Sequence, residues 1–196
     1  MRQFLLLILS AFLSVPVFAQ PPIGMRAGLN ISNQNIQSNA QTLDTVSTKT
    51  GFMLGMYFTA AVNDKISIQP EIVFSGMGSE LNSSDRTNVF NYLHIPVFFK
   101  YNISRKVHLH VGPQFGILLT ARITDGDTFV DIKESFKGTE WGANGGIGVN
   151  IKKFDVGVRY YLGMSNIAKD PNMADSYKNS AIQLIIGYRL SQFYGD

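Results

Sequence analysis

Trp141-Gly142-Ala143-Asn144-Gly145-Gly146-Ile147-Gly148-Val149-Asn150 runs, after a very short connection, into Phe154-Asp155-Val156-Gly157-Val158-Arg159-Tyr160-Tyr161-Leu162-Gly163. In the first run Trp141, Ala143, Gly145, Ile147 and Val149 share one face and glycines and asparagines share the other. In the second, Phe154, Val156, Val158, Tyr160 and Leu162 oppose Asp155, Gly157, Arg159, Tyr161 and Gly163. A period of two marks a strand with unlike faces. Two such runs across a tight turn predict a β-hairpin.

The same alternation extends in both directions from this hairpin. It recurs at 23–31, 51–60, 66–75, 92–101, 106–120 and 182–191, which makes eight strands in all. The connections 32–50, 76–89, 121–140 and 164–179 are long and polar, while those at 63–64, 102–105 and 152 are very short. Strict alternation of long and short predicts an up-and-down meander with both termini at the short-turn end. Segments of roughly 9–15 residues suit the about 9–11 that a tilted membrane strand needs. The expected fold is all-β: an eight-stranded antiparallel up-and-down transmembrane β-barrel.

Residue chemistry sets the sidedness, since a soluble barrel alternates too. The polar face holds Gly, Asn, Gln, His and Tyr with few Lys or Glu, so it suits a narrow interior better than a watery surface. Aromatics stand near both ends of the apolar face: Phe52, Phe74 and Trp141 toward the long loops, and Phe58, Tyr101, Phe154 and Tyr188 toward the short turns. Such girdles belong at membrane interfaces. Eight strands leave an interior that side chains fill. Arg26, Gln69, Glu71, His94, Asp155, Arg159 and Arg189 are therefore expected to form a structural polar network inside, because buried charges need partners. Lys100, His108, His110 and Gln114 face the same way. Pro70, Pro96 and Pro113 fall within strands and require bulges or ladder breaks.

Charged residues make up 16 % of the chain, against roughly 25 % in ordinary soluble domains. Cysteine is absent, which excludes disulfide scaffolds and thiolate chemistry. Met1-Arg2-Gln3, the apolar run from Phe4 to Leu13, Pro16 and Val17-Phe18-Ala19 have the layout of a secretory signal peptide. Two parts are expected: a cleaved signal peptide at 1–19 and a barrel domain at 20–196. The formal charge of +3 for the whole chain is too small to suggest nucleic-acid binding.

The strand sequences also resemble a family. Gly28-Leu29-Asn30-Ile31-Ser32, Gln69-Pro70-Glu71-Ile72-Val73-Phe74-Ser75, Tyr92-Leu93-His94-Ile95-Pro96-Val97, Val111-Gly112-Pro113-Gln114-Phe115-Gly116, Gly145-Gly146-Ile147-Gly148, Val158-Arg159-Tyr160-Tyr161-Leu162-Gly163 and Ile186-Gly187-Tyr188-Arg189-Leu190 occur in order across the mature chain. Together they resemble the PorT-like outer-membrane β-barrel domain family of Bacteroidota porin-like proteins. The resemblance implies the fold and an outer-membrane location, and its namesake assists a secretion system. His94 stands where relatives often carry an inward acid, which implies a more basic interior. Phe193 is the candidate for the terminal aromatic assembly signal.

Chemical motifs are scarce. H-E-x-x-H, G-x-S-x-G and a complete P-loop are missing. Gly146-Ile147-Gly148 has no following helix, and Ile151 occupies the position of a dinucleotide loop's last glycine. His108 and His110 are two residues apart on the inward face but lack an adjacent acidic pair, so they read as packed interior groups. Asp125, Asp127, Asp131 and Glu134 cluster in the third long loop without an EF-hand pattern. No catalytic residue, cofactor or metal is expected. The expected function is non-enzymatic: a filled barrel whose loops bind a partner or ligand, surrounded by outer-membrane lipid. The alternatives are an accessory component of a secretion or assembly machine, contacting envelope proteins through the long loops, and a lipid-modifying enzyme.

Overall fold

The computed structural model describes residues 23–38, 41–42, 46–81, 86–125, 128–169 and 176–190. Eight long strands carry the fold: β1 (Ile23–Ser38), β2 (Val46–Phe58), β3 (Ile66–Leu81), β4 (Arg86–Asn102), β5 (Val107–Asp125), β6 (Thr139–Ile151), β7 (Phe154–Gly163) and β8 (Ser176–Arg189). Each pairs antiparallel with the next. β8 returns to β1 in an unbroken register from Gly24↔Arg189 to Gln37↔Ser176. The sheet is thus closed, and no strand of the ring leaves an unpaired edge.

The faces separate as the alternation requires. Leu29, Leu54, Ile72, Phe99, Val111, Ile147, Val156 and Leu184 all project outward and are exposed, on all eight strands. Their partners in alternation, among them Arg26, Tyr57, Glu71, Phe98, His110 and Arg159, are buried. Exposed apolar residues right around a barrel form a lipid-facing belt, far beyond the patch a soluble monomer tolerates. Phe52 (60 % exposed) and Trp141 (56 %) mark its long-loop margin; Tyr101, Phe154 and Tyr188 mark the other.

The strands are longer at the long-loop end than the sequence predicts. Residues 32–38, 46–50, 76–81, 86–89, 121–125 and 176–179, expected in the long connections, instead continue the ladders. A short strand Thr128–Asp131 also folds back on β5. The reason is a change of surroundings. Above the belt the outward positions turn polar, as at Thr50, Asn35 and Lys178, while the inward positions mix apolar side chains such as Met77 and Phe90 with hydrogen-bonded Gln34, Ser79 and Asn88. Polar stretches there look like loop in sequence yet pair as strand. The expected signal peptide at 1–19, Phe193 and Asp127 lie outside the described residues.

The three prolines coincide with gaps in pairing rather than shifts of register. Pro70 lies between Ala60↔Ile68 and Tyr57↔Glu71. Pro96 lies between Pro70↔Val97 and Val73↔His94, and Pro113 between Phe99↔Val111 and Pro96↔Gln114. A residue without an N–H is accommodated where the ladder makes no bond. True shifts occur elsewhere, between Thr48 and Met53 and between Asn91 and Tyr92. Gly78, beside the first of these on β3, has φ +147, a backbone state that glycine adopts most readily.

Candidate functional site: a layered barrel interior

The interior is built in layers, starting near the short turns. Asp155 on β7 accepts hydrogen bonds from Arg26 Nη2 and Lys100 Nζ, each at 3.2 Å. Lys100 Nζ also donates to Gln69 Oε1 at 3.0 Å. His108 Nε2 lies 3.5 Å from Asp155 Oδ1, a contact without hydrogen-bond geometry. Gly148 leaves room for this imidazole: a Cβ there would lie 2.5 Å from His108 Nε2.

Glu71, 2 % exposed, is the centre of the next layer. Arg159 grips it with two parallel bonds, Nη1 to Oε2 at 2.9 Å and Nη2 to Oε1 at 2.8 Å. Such bidentate pairs are among the stronger charge-assisted interactions. Gln69 Nε2 donates to Oε1 at 2.7 Å. Arg26 Nη1 approaches the same oxygen at 2.9 Å as an ion pair, without an aligned hydrogen bond. Arg159 Nε donates to His110 Nε2 at 2.9 Å, and its guanidinium lies 4.1 Å from the centroid of the Phe98 ring. Arg26 covers Tyr57 similarly at 4.7 Å. Burial of these ions is tolerable because each is paired and hydrogen-bonded.

Neutral amides come next. Asn144 donates to Gln114 and Gln183, Gln183 to Asn30, and Asn30 to Ser75, over 2.8–3.0 Å. Beyond them Glu140 meets His94 Nε2 at 2.8 Å and accepts from Tyr161 Oη at 3.0 Å and Asn179 Nδ2 at 2.6 Å. A Cβ at Gly116 would lie 2.7 Å from the His94 ring and 2.8 Å from Glu140 Cγ, so glycine makes this pairing possible.

The long-loop end is closed by an apolar plug of Met77, Phe90, Tyr92, Leu118, Ala121, Tyr161, Tyr177 and Ala181 from the wall, with Phe136, Ile167 and Ala168 from the connections. Phe136 meets Phe90 edge-on at 4.8 Å and Tyr177 at 5.2 Å. Backbone bonds from Lys137 to Ile167 (2.8 Å) and from Ile167 to Tyr177 (2.9 Å) fold the connections inward. The short-turn end opens instead into a mouth of about 770 Å³, lined by residues that include Tyr57, Lys65, Lys100, Arg105, Asp155 and Arg189. At mid-height the cavity among Met53, Val73, His94 and Gln183 holds only about 10 Å³, no more than the least space a single water requires.

Arg26, Gln69, Glu71, Asp155 and Arg159 thus share one connected network. His94 sits apart from it, across the amide layer, with a carboxylate partner of its own. Arg189 stays at the rim, half-exposed, and among the described residues pairs with no carboxylate. Glu140 is the residue that sequence reasoning missed. The polar stretch 121–140 puts it at the end of a long loop, although the alternation of β6 runs through it and gives it the parity of Gly142 and Asn144. It offsets the expected basic excess: among the described residues, buried Arg26, Lys100 and Arg159 face buried Glu71, Glu140 and Asp155. His108 and His110 are absorbed by the ionic layer. In the acidic third loop, Asp125 pairs with Arg86 at 3.0 Å.

A closed ring of eight strands with an apolar exterior and ionic interior is the arrangement that known families can be tested against. The family model described as outer membrane protein beta-barrel domain matches residues 18–169. The chain belongs to that family. Among solved structures, Ail, the attachment invasion locus protein of Yersinia pestis, is 16 % identical, with a TM-score of 0.53 over 88 % of this chain and 100 % of that one. Neisserial surface protein A is 9 % identical, with a TM-score of 0.56 over 86 % and 97 %. Both likenesses are of fold. No curated protein matches the chain. The protein is an outer-membrane β-barrel, and its apolar belt is the surface that meets lipid.

Proposed function

We propose that this outer-membrane barrel is non-enzymatic and non-conducting, and that it acts by presenting its long-loop end to a partner or ligand outside the cell. In this reading residues 1–19 are a cleaved signal peptide and the short turns face the periplasm. The carrying observation is the filled interior: among the described residues ionic, amide and apolar layers succeed one another, and the mid-height cavity among Met53, Val73, His94 and Gln183 holds only about 10 Å³. Such packed layers leave a solute no path from the short-turn mouth to the long-loop end. His94, His108 and His110 are all buried, which leaves the long-loop rim without an imidazole among the described residues. Function then falls to the exterior, where the inward-folded connections give the rim a rigid base. Planar-bilayer recordings of the purified protein should show no large, stable open state. Steady conductance on the nanosiemens scale would overturn this reading.

The ordered strand motifs from Gly28-Leu29-Asn30 to Gly187-Tyr188-Arg189 favour a second reading, a PorT-like accessory of a secretion or assembly machine in a Bacteroidota-type envelope. A deletion strain separates the two. Loss of exported cargo supports the accessory role, whereas intact export leaves surface binding.

A further inference from the structure

The outer wall at the short-turn end carries a groove of about 510 Å³ that takes no part in the interior network. Lys152, Lys153, Phe154, Tyr188 and Arg189 line it. We propose that this groove binds the headgroup of an anionic glycerophospholipid of the phosphatidylglycerol class, in the leaflet that faces the short turns. The choice of leaflet rests on the reading that those turns are periplasmic.

Two features meet in the groove. Phe154 and Tyr188 touch edge to face at 5.2 Å and are 45 % and 39 % exposed. They stand at the margin of the lipid belt, the depth at which interfacial aromatics sit beside headgroups. Immediately beyond them are three cations with no carboxylate among the lining residues. Among the described residues none of the three forms an ion pair. Asp155, next in sequence to Phe154, points inward and is spent on Arg26 and Lys100. An anion placed here would therefore gain three attractions without displacing an existing partner.

The backbone frame is fixed. Arg189 N–H donates to Lys153 O at 2.8 Å, tying the β6–β7 turn to the end of β8. Lys152 has φ 55, a left-handed state that glycine or asparagine would occupy at lower cost. The turn accepts that strain while setting a cation on the groove. The aromatic pair continues into exposed Val156 and Ile186, so an acyl chain has an apolar track leading away from the cations. This track argues for a lipid over free phosphate.

The test reconstitutes the full chain in nanodiscs of mixed phosphatidylglycerol and phosphatidylethanolamine. Lipids retained on the released barrel are then counted by native mass spectrometry. Wild type should keep phosphatidylglycerol in preference, and excess inorganic phosphate should not displace it. Lys152→Gly relieves the left-handed strain and should fold at least as well, with normal heat-modifiable migration, yet lower retention roughly fivefold, the usual effect of one cation near an anionic surface. Joint replacement of Lys152, Lys153 and Arg189 by Gln should lower it on the order of a hundredfold. Lys65→Gln, on a different turn, should leave it unchanged. Full retention by Lys152→Gly, an equal loss in Lys65→Gln, or displacement by phosphate would each overturn the proposal. Protease cleavage of the short turns on intact cells would instead overturn the orientation, and bilayer conductance bears only on the filled-barrel reading.

Discussion

Within the lipid belt the wall is apolar outside and ionic inside, with Ile72 exposed and its neighbour Glu71 buried. Above the belt the outer face turns polar and the interior gains an apolar cluster. Asn35, Thr50 and Lys178 face outward, while Met77, Phe90, Leu118 and Phe136 pack inside beside hydrogen-bonded Gln34, Ser79 and Asn88. One continuous set of strands crosses both regions, so the backbone is not what changes. Hydrocarbon around the lower part drives polar groups to satisfy one another within. Water around the upper part drives apolar groups together, as in an ordinary soluble core. The level at which the outer face turns polar, near Phe52 and Trp141, therefore marks the membrane surface.

The contrast can be broken most strongly in the ionic layer. Glu71→Ala leaves Arg26 and Arg159 facing one another without their shared carboxylate, and should cost on the order of 3–5 kcal/mol, as for a broken buried pair. Urea unfolding in lipid vesicles reads this directly. A cost near zero would mean that the two guanidiniums are solvated, and the filled interior would be in error.

Phe90→Ala strikes the apolar plug and should cost about 3–5 kcal/mol, the usual range for a buried phenylalanine, with the damage confined to the upper end. Hydrogen exchange should rise at 132–138 and 164–169 while the amides around Arg159 stay protected. Equal loosening in both regions would show the two interiors to be one cooperative unit.

The smaller effects test the exterior. Ile72→Arg places a charge against hydrocarbon and should cost about 2–4 kcal/mol. Thr139→Arg, outward on the same wall but beyond Trp141, should stay within about 0.5 kcal/mol, as for an ordinary surface change. If the two variants unfolded alike in vesicles, the boundary drawn at Trp141 would be misplaced.

Period-two alternation is enough to read eight strands and their order, and residue chemistry adds the sidedness of the belt and with it the inward direction of Arg26, Gln69, Glu71, His94, Asp155 and Arg159, because facing is a local property of an extended chain. The conflict between Pro70, Pro96 and Pro113 and a closed ladder was visible too, although the remedy was not. Only the tertiary structure decided which inward residues meet. Glu71 binds Arg159 across 88 residues of chain and His94 finds Glu140 across 46, distances over which register and closure, rather than local pattern, determine contact. The upper barrel was illegible for a related reason. Its strands carry polar residues on the watery side and irregularly spaced apolar ones within, so 121–140 and 164–179 read as loops until Phe136 and Ile167 were seen packed against Phe90 and Tyr177. Arg189 shows the limit from the other side: its parity is inward, but at the last rung of the ladder the wall ends, and the side chain is left at the rim.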